Sequence, residues 1–234
     1  MTLPPAVTFD VFSALIDSRA GATQALAEPA GVHGWQVDPE AVYVDWDRRN
    51  KGLHRSVVGF VAFGVLARRA MRATAAEFGL AGDPDTLADH LLASMPRWPL
   101  WPDAAAGLRA TARGHRIALV SNIDDDLLAA TAAAALVEER LTSEQVQVYK
   151  PHPELYRAAR ARFGDDLVHV PASARDTRGA LEAATRVVRV RRPGHHLDPE
   201  GPQPDHEIDD LRDLPDLLAT LTDHPTTPAP GTGP

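Results

Sequence analysis

Four residues stand where chemistry could be done. Asp10 interrupts the apolar run Ala6–Phe12 (AVTFDVF) near its end, and Ser121 follows the run that begins at Ile117. Lys150 precedes Pro151, and Asp176 follows the run Leu167–Val170 by a few residues. A carboxylate at a strand end can attack an electrophilic carbon or phosphorus and form a covalent ester. The same Asp10 could instead cap a following helix, and Asp176 has the same alternative ahead of Thr177. Lys150, taken alone, reads equally well as a solvated loop lysine.

The elements needed to position these residues are legible as short buried strands alternating with helical stretches. Strands are expected at Ala6–Phe12, Ile117–Val120, Leu167–Val170 and Arg186–Val190, with a weaker candidate at Val146–Tyr149. Each is β-branched or aromatic and stops at a turn signal. Helices are expected at Asp103–Ala112, Asp124–Glu139, Pro153–Arg162, Asp176–Ala184 and Leu211–Leu221. This alternation predicts an α/β fold, a Rossmann-like parallel sheet with helices on both faces. Ligands bind such sheets beyond the carboxyl ends of the strands, where all four residues fall.

Residues 18–95 break the pattern. They hold helical stretches near Pro39–Arg49, Ser56–Phe78 and Asp83–Leu92 and no convincing strand. The expected organisation is a core of residues 1–17 and 96–222, with residues 18–95 inserted after the first strand as a helical cap. Residues 223–234, rich in Pro, Thr and Gly, are expected to be a disordered tail.

Composition narrows the function. With 44% hydrophobic residues the 234-residue chain can bury a real core, so wholesale disorder is excluded. The net charge of −8 is spread along the chain and argues against a nucleic-acid partner, though a local basic pocket for a small anionic substrate is compatible with it. There are no cysteines, which removes thiolate catalysis and cysteine-ligated metals. No apolar run approaches the ~20 residues that span a bilayer, and the N-terminus has no basic, apolar leader, so no membrane is expected and the cytoplasm is the default location.

FDVFSALID (Phe9–Asp17) resembles the first motif of the haloacid dehalogenase-like superfamily, and in particular its type II 2-haloacid dehalogenases, with Ser13-Ala14 in place of Gly-Thr. LVSN (Leu119–Asn122), YKPHPELY (Tyr149–Tyr156) and VHVPASARDTRGALEA (Val168–Ala183) resemble the later motifs in the family's order. RRPG (Arg191–Gly194) and PDHEIDDLRDL (Pro204–Leu214) resemble its C-terminal end, so the likeness runs nearly to the tail. The resemblance implies Asp10 as nucleophile, Ser121 and Asn122 as donors to the substrate carboxylate or ester, and Lys150 as the cation that keeps Asp10 ionised. It implies Asp176, aided by Ser173, as the group that places the hydrolytic water.

Phosphatases of the superfamily carry a second acid two residues after the nucleophile, to protonate the leaving group. Here that residue is Phe12, which suits a halide, a leaving group that needs no proton. PASARD offers only Asp176 where a phosphatase gathers acids around Mg²⁺. The expectation is therefore a 2-haloacid dehalogenase that uses no metal. The alternatives are an Mg²⁺-dependent phosphatase and a catalytically inactive binding protein. The family's cap arginine follows a tryptophan; here Trp46 is followed by Asp47, leaving Arg48 one position on and Arg19 as substitute cations. The cap also leaves a homodimer open. His195-His196 and the acids after them are expected to be a solvated loop, Asp124–Asp126 to stabilise their own helix, and Trp98 and Trp101 to pin the cap's return.

Overall fold

The computed structural model describes residues 4–223. Its first strand, β1 (Val7–Phe9), is wholly buried and ends one residue before Asp10. Four helices follow: α1 (Ser18–His33), α2 (Pro39–Ser56), α3 (Phe63–Phe78) and α4 (Pro84–Ser94), then a single 3-10 turn, Met95–Arg97. The chain next forms α5 (Ala104–Thr111), β2 (Ile117–Ser121), α6 (Asp125–Ala129), β3 (Glu139–Thr142), α7 (Ser143–Val146) and α8 (Pro153–Phe163). It finishes with β4 (Val168–Val170), α9 (Ala174–Glu182), β5 (Arg186–Val190), β6 (His206–Ile208), a 3-10 turn and α10 (Leu214–Asp223).

The strands make one parallel sheet in the order β3-β2-β1-β4-β5-β6. β1 lies between β2 and β4, so the strand order reverses there and a crevice opens at its carboxyl end. Asp10 stands at that crevice. Its backbone N–H still bonds the Val170 carbonyl at 3.1 Å, which fixes the carboxylate relative to β4.

Several elements differ from expectation. One edge strand of the sheet is β3, which starts at Glu139, the last residue of the stretch expected to be helical, and runs on to Thr142, where no element was expected; α6 stops after five residues. Val146–Tyr149 is no strand: Val146 ends α7 and Gln147 turns with φ of 62°. β6 lies in a segment expected to be loop, and α1 was not anticipated. α2 runs seven residues beyond Arg49 to Ser56, and a break containing Gly59 (φ 75°) separates it from α3. Asp223 is the last residue of α10; the rest of the expected tail lies outside the described residues.

The core continues from sheet to helices without a gap. Phe9, Leu119 and Val170 from the strands share one buried cluster with Leu26, Trp46, Leu66 and Leu91 from the inserted helices. Polar ties reinforce the junction. Asp124 precedes α6 yet its carboxylate makes no bond to that helix; it accepts the Phe63 and Gly64 N–H groups at 2.7 and 2.9 Å and so caps α3. That corrects the expectation that Asp124 serves its own helix. Tyr149 donates to the Val61 carbonyl at 2.7 Å.

Candidate active site

Lys150 sits at the centre of a buried charge cluster. Its ammonium donates to Asp10 Oδ1 at 2.7 Å, to Asp176 Oδ2 at 2.7 Å and to the Val120 carbonyl at 2.8 Å, satisfying all three protons. All three side chains are under a tenth exposed. Burial would drive the lysine's proton off, but the two acids outweigh it and raise its pKa. Burial pushes the Asp10 carboxyl up, against the pull of Lys150. Burial acts on Asp176 too, yet Lys150 and His169 overcome it and hold Asp176 low.

Asp176 is fully engaged. Oδ2 also meets His169 Nε2 at 3.2 Å, Oδ1 accepts from the Tyr156 hydroxyl at 2.7 Å, and His169 Nδ1 is 2.9 Å from the Thr8 hydroxyl. Asp10 keeps more freedom, with Oδ2 accepting only from the Ser13 hydroxyl at 2.9 Å. Ser13 has φ of 110°, in the region that favours glycine, where the family's motif has one. Trp101 Nε1 holds its carbonyl at 2.9 Å. Arg192 braces the next residue, donating twice to the Ala14 carbonyl while paired with Asp103.

A cavity of about 170 Å³ lies against this cluster, room for a molecule of a few carbons. The strand ends contribute Asp10, Phe12, Ser121, Asn122, Ser173 and Asp176 to its wall. Phe12 meets Trp98 edge to face, with ring centroids 5.9 Å apart, so Trp98 lines the cavity as well as anchoring the return from the helices. Ser121 Oγ is buried with no protein partner. Ser173 caps α9, its Oγ accepting from Asp176 N at 3.4 Å. Asn122 lines the cavity but its amide is spent on the backbone of Lys150, accepting from its N–H at 2.7 Å and donating to its carbonyl at 3.1 Å.

Neither arginine singled out from the sequence lines this cavity. Arg48 is paired with Asp45 on an exposed face, its side chain 65% accessible, because one residue along a helix turns the side chain ~100°. Arg19 pairs with Glu40 at an adjoining cleft that shares Phe12, Tyr43, Asp47 and Lys51. Besides Lys150, the cations at the cavity are instead Lys51 and Arg175. Lys51 is held by Asp47 at 2.7 Å; Arg175 donates to the carbonyls of Lys51 and Lys150. Arg175 carried no signal beyond its place one residue before Asp176, and Asn50, Lys51 and His54 lay past the expected end of their helix.

Magnesium does not suit this donor set. A hard cation needs several free oxygens, and both Asp176 oxygens are taken by donors while Asp10 faces an ammonium and a hydroxyl. Among the described residues no three His, Asp or Glu side chains are grouped as ligands. No helix among them is long and apolar enough to cross a membrane.

Sheet and site define a Rossmann-like α/β enzyme built on two buried acids that share one lysine. The chain belongs to the haloacid dehalogenase-like hydrolase family, whose model matches residues 4–183. It is 29% identical to (S)-2-haloacid dehalogenase 4A of Burkholderia cepacia over 145 residues, 58% of this chain and 63% of that one, under two thirds of its length. It is 30% identical to the phosphoserine phosphatase of Thermus thermophilus over 217 residues, 87% of this chain and 84% of that one. The L-2-haloacid dehalogenase of Xanthobacter autotrophicus, solved with chloropropionic acid covalently bound, shares its fold. The TM-score is 0.79 at 23% identity, covering 93% of this chain and 99% of that one.

Proposed function

We propose that the protein hydrolyses the carbon–halogen bond of a small 2-haloacid through an ester on Asp10, without a metal. The observation that carries this is the pairing of Asp10 with Phe12 at one cavity wall. The site holds an anchored carboxylate nucleophile, and at the place of a leaving-group acid it has a phenyl ring turned against Trp98. A halide departs with its bonding pair and needs no proton; an alkoxide leaving from phosphorus does. The Burkholderia relative, named a 2-haloacid dehalogenase, supports the same chemistry. The Thermus phosphatase favours phosphate esters, but the donor set around Asp176 gives Mg²⁺ no open oxygens.

In the first step an Asp10 oxygen attacks C2 from the side opposite the halogen, inverting that carbon. Ser121 Oγ, unpartnered within the protein, is the donor available to the substrate carboxylate. Water then attacks the Asp10 carboxyl carbon, releases the 2-hydroxy acid and leaves one of its oxygens in Asp10. Ser173 is the wall hydroxyl placed to hold that water. Asp176, with both oxygens engaged, anchors Lys150 instead of touching the water. The inserted helices close the site as a cap, and the substrate is a small anion.

The test is a single turnover in H₂¹⁸O with enzyme in excess over 2-bromopropanoate. The label is expected in Asp10 and absent from product. Label appearing directly in the product refutes the ester; halide release that survives Asp10→Asn refutes the nucleophile. Phosphate-ester turnover abolished by a chelator would establish the phosphatase instead.

A further inference from the structure

The ceiling of the cavity is one face of α2. Tyr43, Trp46, Asp47, Asn50, Lys51 and His54 all line it, spaced by three and one residues in alternation, as a 3.6-residue helix requires for a single stripe. The stripe is aromatic at its N-terminal end and polar at its C-terminal end. Two polar atoms at that end have no partner. Asn50, 3% exposed, has an unbonded Oδ1, and His54, 9% exposed, an unbonded Nε2. Buried polar atoms are rarely left so, because their lost hydration is not recovered.

The neighbouring charges do not fill the vacancy. Lys51 is held by Asp47, and the Arg175 guanidinium is turned to backbone carbonyls. His54 is clamped in place: its ring stacks on Tyr149 with centroids 4.2 Å apart and planes 4° from parallel, with Phe63 at 5.5 Å. Burial, with Arg175 and Lys51 nearby, brings its pKa down to about 3, so the imidazole is neutral at ordinary pH. The unpaired groups are thus an amide carbonyl and an uncharged imidazole nitrogen, four residues apart on one helix face.

We propose that Asn50 and His54 form a side-chain subsite selecting 2-substituted carboxylic acids whose chain ends in a neutral hydrogen-bonding group, a hydroxyl or a carboxamide. A hydroxyl donates and accepts at once, so it can give its proton to Asn50 Oδ1 and bond His54 Nε2. A terminal methyl would leave both atoms unpaired. A second carboxylate would meet the Asn50 carbonyl and Asp47, with Lys51 already held by Asp47 and the Arg175 guanidinium turned to backbone carbonyls. The proposal rests on the reading of Asp10 as acting on small 2-substituted acids, and refines it.

The test separates binding from turnover. Unreactive 4-hydroxybutanoate, pentanoate (its methyl counterpart) and succinate are titrated into the wild-type protein by calorimetry. 4-Hydroxybutanoate is expected to bind about tenfold more tightly than pentanoate, the factor of one good hydrogen bond, and more tightly than succinate. In Asn50→Leu and His54→Phe the preference over pentanoate is expected to vanish. Equal or tighter binding of pentanoate, tighter binding of succinate, no binding of any of the three, or a preference unchanged in both variants overturns the subsite. The wild-type comparison needs no variant to fold. Halide release from 2-bromobutanoate and 2-bromo-4-carbamoylbutanoate is then measured. Preferential binding without halide release from either leaves the subsite standing and refutes the dehalogenase reading.

Discussion

Replacing Lys150 by Met removes one cation and three hydrogen bonds of 2.7, 2.7 and 2.8 Å while roughly keeping side-chain volume. It leaves two buried carboxyls facing each other, with His169 beside Asp176 as the remaining compensating group. Losing one partner of a buried ion pair costs about 3–5 kcal/mol, and that is the loss of folding stability expected near pH 7.5. The loss has a definite pH dependence. In the wild type Asp176 is held below its unfolded value, so its contribution is present above that value and fades as pH falls through the folded one. Without Lys150, the largest pull holding Asp176 down is gone and its carboxyl rises, opposed only by His169, while Asp10 goes further in the direction that burial already drives it. The penalty then grows as pH rises through the new folded values and shrinks on acidification, by up to about 1.4 kcal/mol per pH unit for each carboxyl that takes up a proton. Urea unfolding of both proteins at pH 5, 6 and 7.5 measures this directly. A deficit below about 1 kcal/mol at pH 7.5, or one that stays constant or widens on acidification, would refute the assignment of Lys150 as the counter-charge.

Asp124→Ala removes the acceptor for two N–H groups at the start of α3 and should cost about 1–2 kcal/mol. Amide exchange at Phe63 and Gly64 should accelerate beyond the global change, and uniform acceleration would deny the cap. Arg48→Ala should leave kcat/KM for 2-bromopropanoate within about twofold, since Arg48 points away from the cavity; a tenfold loss would return it to the site. His54 is buried neutral, with its pKa brought from 6.5 to about 3. The unfolded chain therefore binds that proton first, and wild-type stability should fall as pH drops from about 6.5 toward 3, by up to ~1.4 kcal/mol per unit. Denaturant midpoints of His54→Phe should show a shallower acid slope, and an unchanged slope would place the titration elsewhere.

The candidate site was legible because it lies where sequence signals are strongest. β1, β2, β4 and β5 are runs of apolar residues ended by turn signals, and Asp10 and Asp176 fall just beyond two of those ends. The edge strand β3 was missed because Glu139-Arg140-Leu141-Thr142 carries two charges and one buried aliphatic residue; only pairing with β2 makes it a strand. The alanine-rich stretch before it favours helix by propensity, a weak preference, and only Asp125–Ala129 of it is helical. α1 was hidden by Gly21, Pro29 and Gly31, which break helical patterns on paper. At Gly21 an added Cβ would lie 2.5 Å from the Trp98 ring, so that glycine lets the first cap helix close on the cavity-lining tryptophan.

The error in α2 had the larger consequence. Ending it at Arg49 cut the cavity stripe in half and left Arg48 as the nearest cation, although its partner Asp45 lay in plain sight three residues earlier. Continued to Ser56, the same helix presents Asp47, Asn50, Lys51 and His54 at the spacing of one face. The core and this face therefore hold different information. Asp10, Lys150 and Asp176 are locked together by short bonds, and changing any one of them disturbs the other two. The polar end of α2 reaches the cluster indirectly, through Arg175, which bonds the carbonyls of both Lys51 and Lys150, and through the stacking of His54 on Tyr149. Substitutions along α2 can thus reshape the cavity while Asp10 and its lysine stay as they are. The change from one substrate to another in this fold is then expected to run through the cap stripe before it reaches the strand ends.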